Sequence, residues 1–141
     1  MHSRYEILLE SYCKLTNIEA LTMVEMAKKE ILPAVSEYSQ VLADTILAKK
    51  SVCKTLDCTY ETEALNEISA LTAKAYASVK ALENALEETK KLDDVTALAV
   101  WYKDEVLTKM SELRVAADRL EGLVSAEYWP MPTYGDLLFE I

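Results

Sequence analysis

The chain has 141 residues, with 24 Asp and Glu against 15 Lys and Arg, and a formal net charge of -9. This length is that of one domain that can bury a hydrophobic core. The negative charge argues against nucleic acid or an anionic membrane as a partner, because both require concentrated Lys and Arg.

Two capping-box patterns mark the first predicted helices. Ser3 precedes Glu6 by three residues, and Thr16 is followed by a glutamate at the same interval. At this spacing a hydroxyl and a carboxylate satisfy free backbone amides at a helix start. The first pattern predicts a short helix over residues 3–15, and the second predicts a new helix from about residue 17.

The second predicted helix is long and contains a helix breaker. It extends to about Lys50, with apolar residues recurring every three or four positions. Pro33 lies within it, lacks an amide hydrogen and clashes with the preceding turn. We therefore expect a kink just before Pro33, or two helices that meet there. Over residues 51–59 the apolar periodicity lapses, which predicts a reversal of the chain.

Two further helices follow the reversal. Apolar and small residues at alternating intervals of three and four predict a helix over residues 60–91 and another from the following loop to about residue 125. Asp93 or Asp94 would cap the start of the later helix. Because short connections join these helices, we expect them to be antiparallel neighbours.

The last fifteen residues differ in composition from the helical part. Residues 127–141 contain two of the three prolines, one of the two tryptophans and the only phenylalanine. Buried aromatic side chains bring a large hydrophobic gain, and closely spaced prolines reduce the entropy lost when an extended segment is fixed. We therefore expect this tail to dock, on the bundle itself or on another surface. The predicted docking anchors are Trp129, Pro130, Pro132, Tyr134, Leu137, Leu138 and Phe139.

Together these elements predict an all-α fold. Residues 3–126 are expected to form an antiparallel bundle of about four helices, and residues 127–141 an extended tail rich in proline and aromatic residues. Because 141 residues are the length of one domain that can close a hydrophobic core, residues 1–141 are predicted to be a single domain.

The sequence offers no catalytic, cofactor-binding or metal-binding residues. A four-helix bundle can hold a di-metal centre, but that centre uses a Glu-x-x-His pair on each of two helices. The only histidine is His2, at the amino terminus. Without a histidine in the helical part, a Ser or Cys nucleophile also lacks its usual base. Gly122 and Gly135 belong to no glycine-rich phosphate loop.

The cellular location follows from what the chain lacks. No apolar stretch reaches the roughly 18 to 20 residues that would span a bilayer, and the amino terminus lacks the order of charged and apolar residues in a signal peptide. We therefore expect a cytoplasmic protein without a membrane partner. Cys13, Cys53 and Cys58 are an odd number of cysteines in such a chain, which favours free thiols.

Two stretches of the chain carry a resemblance to a known family. The amino-terminal SRYEILLESY over residues 3–12, followed by NIEALT over residues 17–22, resembles the start of the carboxy-terminal region of type III glutamine synthetases. The tail YWPMPTYGDLLF over residues 128–139 is similar to the closing signature of that family. Between these stretches the match is one of helical pattern and length.

The resemblance implies that the chain is a non-catalytic fragment of a larger enzyme. The parent would join ammonia to glutamate with ATP and a divalent metal such as Mg, in a double-ringed cytoplasmic homo-oligomer. This chain would be its last domain, inactive alone and acting in structural packing or assembly. Its expected partners are the catalytic domain of the same polypeptide and neighbouring subunits. The alternative is a free-standing helical module or scaffold that binds another protein.

Overall fold

The computed structural model describes residues 3–130, and within that range helices are its only regular secondary structure. In chain order the elements are α1 (Arg4–Met26), a first π-helical turn (Ala27–Ile31), α2 (Leu32–Val52), α3 (Thr59–Thr89), α4 (Val95–Trp101), a second π-helical turn (Tyr102–Val106) and α5 (Leu107–Leu123). The predicted all-α class is confirmed.

The described elements form three helical rods rather than about four. The first rod is α1, the first π turn and α2 in unbroken sequence; α3 is the second rod; α4, the second π turn and α5 form the third. Lys49 pairs with Glu61, and Lys28 pairs with Glu83 farther along α3, so the first and second rods run antiparallel.

The start of the first rod is capped as predicted, but the second predicted start is absent. The Ser3 hydroxyl accepts a hydrogen bond from the backbone N–H of Glu6 at 3.1 Å. Thr16, in contrast, lies inside α1 and is only 4% exposed. It faces the core beside Cys13 and Ala20, and this burial favours a continuous helix over the local capping preference of a threonine. The two predicted helices over residues 3–15 and 17–50 are therefore one rod.

The irregularity expected before Pro33 is present as a π-helical turn. The backbone N–H of Leu32 donates to the carbonyl of Ala27, five residues back. Pro33 follows directly, at the start of α2, and the change of hydrogen-bond spacing in the π turn accommodates its missing amide hydrogen within a continuous rod. The helical path is thus altered without being divided, and the turn places both Ala27 and Ile31 in the core.

The connections between the rods are short and lie where the sequence predicts them. The first rod ends at Val52 and α3 begins at Thr59, which confirms the predicted reversal over residues 51–59. Before α4, a side-chain oxygen of Asp94 accepts a hydrogen bond from the backbone N–H of Ala97 at 3.2 Å. This is one of the two aspartates predicted as a cap.

The hydrophobic core runs between the three rods. Its largest fully buried side chains come from α2, α3, the second π turn and α5. They are Val35, Ile68, Val79, Leu82, Val106 and Leu120. Cys13 and Cys58 are buried, Cys53 is exposed, and all three are free thiols, as predicted.

Candidate docking site

The segment after α5 folds back onto the bundle through a tight turn. At the end of α5, Val124 adopts an extended backbone, and its N–H donates to the carbonyl of Leu120 at 2.9 Å. The carbonyl of Ser125 then accepts two backbone hydrogen bonds, from Tyr128 at 2.9 Å and from Trp129 at 3.1 Å. These bonds reverse the chain direction within four residues and aim the two aromatic side chains at the helices.

Trp129 inserts where the first and third rods meet. Its side chain is 8% exposed and belongs to the hydrophobic core. It forms one wall of a cavity of about 310 Å³ between the first π turn and α5. The other apolar residues lining this cavity are Met23, Met26, Ala27, Ile31, Leu113 and Ala117. The π turn before Pro33 therefore helps to build the surface that receives the indole.

Tyr128 packs on the opposite side of the segment, against α2. Its ring centroid lies 5.5 Å from that of Tyr38, and the two planes are tilted by 47°. This separation is within the range of favourable aromatic pairs. Burial raises the pKa of the Tyr38 hydroxyl, and the neighbouring Tyr60 and Tyr128 raise it further. The Tyr38 hydroxyl is therefore protonated at physiological pH.

The structure describes only part of the predicted set of anchors. Trp129 lies in the core, whereas Pro130 is exposed. The remaining predicted anchors lie outside the described residues, and their docking stays a prediction. They are Pro132, Tyr134, Leu137, Leu138 and Phe139. Sequence reasoning missed Tyr128 and Tyr38 as a pair, because helical periodicity relates residues a few positions apart and these two are separated by most of the chain.

A second cross-rod contact lies at the far end of the bundle. The Tyr102 hydroxyl lies 3.1 Å from the side-chain oxygen of Asn17, to which it donates. The neighbouring Trp101 donates its indole N–H to the carbonyl of Ala85 at 2.9 Å. Burial raises the pKa of the Tyr102 hydroxyl. These two polar groups, at the junction of α4 and the second π turn, thus hold the third rod against α1 and α3.

The described residues contain neither a cluster of metal-ligating side chains nor a membrane-spanning helix. Over residues 3–130, no group of three or more His, Cys, Asp or Glu side chains is placed to hold a metal ion. Burial, with a smaller effect of Glu10, raises the pKa of the Cys13 thiol and keeps it protonated. In the same part of the chain no helix is both long and apolar enough to cross a membrane.

Comparison with known proteins identifies the family. Residues 1–50, the first rod almost in full, match the family described as glutamine synthetase C-terminal domain. The chain is also 38% identical to a glutamine synthetase of Butyrivibrio fibrisolvens over 144 residues, a match that covers 100% of this chain. The chain belongs to the glutamine synthetase C-terminal domain family. The resemblance seen in the sequence is thereby confirmed.

Two further relatives extend the glutamine synthetase match. The type-3 glutamine synthetase of Dictyostelium discoideum is 27% identical over 146 residues, covering 99% of this chain. A glutamine synthetase of Bacteroides fragilis is 24% identical over 140 residues, covering 96% of it. The chain spans about a fifth of the length of the curated relatives it matches, 20%, 20% and 19% of the three in turn.

Proposed function

We propose that this chain is the non-catalytic carboxy-terminal helical domain of a type III glutamine synthetase, acting in structural packing and assembly. The observation that carries the proposal is the unequal coverage of the match. All of this chain aligns with the Butyrivibrio enzyme, but it accounts for 20% of that enzyme's length. The relative named as a type-3 glutamine synthetase, together with the YWPMPTYGDLLF tail, supports the assignment to type III.

The parent polypeptide would carry the chemistry in its other regions. On this proposal it ligates ammonia to glutamate at the expense of ATP, with a divalent metal such as Mg, in the cytoplasm. Among residues 3–130 the acidic and thiol side chains are not grouped to hold such a metal. The residues present therefore do not fit an ATP–metal site, and we assign no step of the ligation to this chain.

The shape of the described helices suits a packing role. The 31 residues of α3 form a rod of about 46 Å, since each residue of an α-helix adds 1.5 Å. The packing of Tyr128 on Tyr38 and the burial of Trp129 in the core fix the segment after α5 against this scaffold. The proposed partners are the catalytic region of the same polypeptide and neighbouring subunits of a double-ringed homo-oligomer.

Expression of the parent polypeptide with and without these 141 residues tests the proposal. We expect the intact polypeptide to form glutamine from glutamate, ammonia, ATP and Mg. The 141-residue chain alone should form none. Without these residues, the parent should sediment as smaller or heterogeneous particles, because a packing element has been removed.

Two results would contradict the proposal. Turnover by the isolated chain would make it an enzyme in its own right. A gene in which Met1 starts a reading frame with no attached catalytic region would favour the free-standing interaction module instead.

A further inference from the structure

Helix α1 packs one apolar side on the bundle and carries a second set of large apolar side chains that face outward. The side chains that it buries against the bundle are Cys13, Thr16, Ala20 and Val24. The outward-facing set comprises five large aliphatic residues, each more than half exposed, which we call the outer stripe. The outer stripe consists of Ile7, Leu8, Leu15, Ile18 and Leu21.

The spacing of the outer stripe places its members on one side of the helix. Leu8 and Leu15 are seven residues apart, and Ile18 and Leu21 follow at intervals of three. Residues at these intervals are neighbours along a helix surface. The buried Ala20 lies on the other side, against the core. Helix α1 is therefore apolar on two opposite sides.

This arrangement differs from that of an ordinary surface helix. Isolated exposed leucines are normal in soluble proteins, but contiguous exposed apolar patches mark interaction sites. The described bundle covers only one side of α1, so a second surface is needed to cover the outer stripe.

The size of the relatives indicates what supplies that surface. Each curated relative is about five times as long as this chain, since the match covers 19% to 20% of its length. The first rod, which carries the outer stripe, is also the part that matches the family model, over residues 1–50. Most of the parent polypeptide thus lies outside this chain and can supply an apolar surface.

Electrostatics disfavours a second copy of the chain as the occupant. Pairing two copies would bring together two bodies that each carry a net charge of -9, which repel one another. The outer stripe is therefore better covered by a different surface than by another copy of this acidic chain.

We infer that the outer stripe of α1 is the surface by which this domain docks on the remaining region of the parent glutamine synthetase polypeptide. The inference rests on the proposed function. The occupant is an apolar surface of the same polypeptide, and Ile18 lies within the contact. The opposite side of α1 keeps its place in the bundle core, so α1 becomes an interior helix of the assembled protein.

Cysteine labelling measures this contact without disrupting it. The probe variant is Ile18→Cys, and the matched control is Leu47→Cys on α2, a similarly exposed aliphatic residue outside the stripe. Both are made in a Cys53→Ser background, because Cys53 is the exposed native thiol and the other two are buried. Each variant is prepared in the 141-residue chain and in the parent polypeptide, and the rate of reaction with a maleimide is recorded.

We expect the rate at position 18, divided by the rate at position 47, to fall at least tenfold in the parent relative to the 141-residue chain. An unchanged ratio would overturn the inference. Protection of position 18 that appears in the 141-residue chain and grows with its concentration would also overturn it, because a second copy would then be the occupant. Glutamine formation by the parent is recorded separately, so failure of the docking surface and failure of the proposed function are distinguishable.

Discussion

The ammonium group of Lys49 lies 2.8 Å from one carboxylate oxygen of Glu61 and 3.0 Å from the other, across the turn between α2 and α3. The Glu61 side chain is 7% exposed, whereas that of Lys49 is 39% exposed. Lys49 also donates to the carbonyl of Asp57 at 3.3 Å. The hydrogen bond to Glu61 raises the pKa of Lys49. One cation thus compensates a buried carboxylate and fixes the chain reversal.

Replacement of Lys49 by methionine should lower the melting temperature. Met keeps much of the apolar stem but leaves the buried Glu61 carboxylate without its cation, and an uncompensated buried charge is strongly unfavourable. Circular dichroism during thermal unfolding measures the effect. Adding Glu61→Gln to Lys49→Met should recover part of the loss, because a neutral amide costs less to bury.

Lys54→Met provides the control for this pair. Lys54 is an exposed lysine of the same turn. Its replacement should leave the melting temperature nearly unchanged, as is usual for an exposed surface position. Equal melting of the Lys49 and Lys54 variants would mean that the Lys49–Glu61 pair does not stabilise the turn.

The comparison of α1 with α3 explains which features the sequence could predict. Along α3 the large aliphatic residues recur mainly on one side, and residues of that side, such as Ile68 and Leu82, are buried as predicted. Along α1 apolar residues lie on two sides, so the periodic signal is weak, and the Thr16 capping pattern suggested a false boundary. The continuity of the first rod depends on burial of Thr16, which is a tertiary effect.

The two π turns also show that the sequence predicts local irregularities only where a residue such as proline marks them. Pro33 predicts an irregularity in the first rod, and the first π turn lies just before this proline. Nothing comparable marks the second π turn, which contains no proline; its Tyr102 and Val106 are both buried. The composition of the tail indicated that it docks, but the contact of Tyr128 with Tyr38 depends on the packing of distant helices.

Removal of the Tyr102 hydroxyl should destabilise the protein measurably. Tyr102→Phe leaves the half-buried side-chain oxygen of Asn17 without its donor, and loss of such a hydrogen bond costs about 0.5 to 1.5 kcal/mol. Urea unfolding followed by circular dichroism gives the change in free energy of unfolding. Tyr76→Phe is the matched control, because Tyr76 is exposed on α3 and should tolerate the change. Equal free energies for the two variants would contradict a stabilising role for the Asn17–Tyr102 bond.

Stability should decline as the solution becomes alkaline. Burial raises the folded-state pKa of Cys13, Tyr38 and Tyr102, and the hydrogen bond to Glu61 raises that of Lys49. Each of these groups contributes its full amount to the free energy of unfolding below its unfolded-state pKa. That contribution is lost as pH rises through the folded-state pKa, because the group releases its proton at lower pH in the unfolded chain than in the folded one. Unfolded thiols titrate at about pH 8.5, and unfolded tyrosine and lysine at about pH 10. The free energy of unfolding should therefore begin to fall at about pH 8.5 and fall more steeply above about pH 10.

Melting temperatures recorded between pH 7 and pH 11 measure this decline. The double variant Tyr38→Phe with Tyr102→Phe removes two of the titrating groups. Its melting temperature should therefore fall less between pH 9 and pH 11 than that of the unmodified chain, even though it starts lower. Parallel curves would show that the two hydroxyls have the same pKa in the folded and unfolded chains.

Trp129→Ala should lower the free energy of unfolding by about 3 kcal/mol. This is the lower end of the range for replacing a buried aromatic side chain by alanine. The lower end applies because Trp129 lines a cavity and its neighbours on the first π turn can partly collapse into the space. Tyr128→Phe should change the free energy little, because it keeps the ring that packs on Tyr38. Urea unfolding distinguishes the two variants, and a loss below about 1 kcal/mol for Trp129→Ala would contradict its role as an anchor.

Two deletions then separate Trp129 from the residues that follow it. Removal of residues 128–141 should lower the melting temperature substantially, by at least as much as Trp129→Ala, because it removes the indole and the Tyr128 ring together. Removal of residues 131–141 alone tests the predicted anchors from Pro132 to Phe139. A further loss from that shorter deletion would mean that they stabilise the bundle itself. If the chain without residues 131–141 melts unchanged but the parent polypeptide no longer assembles, these anchors contact the catalytic region instead.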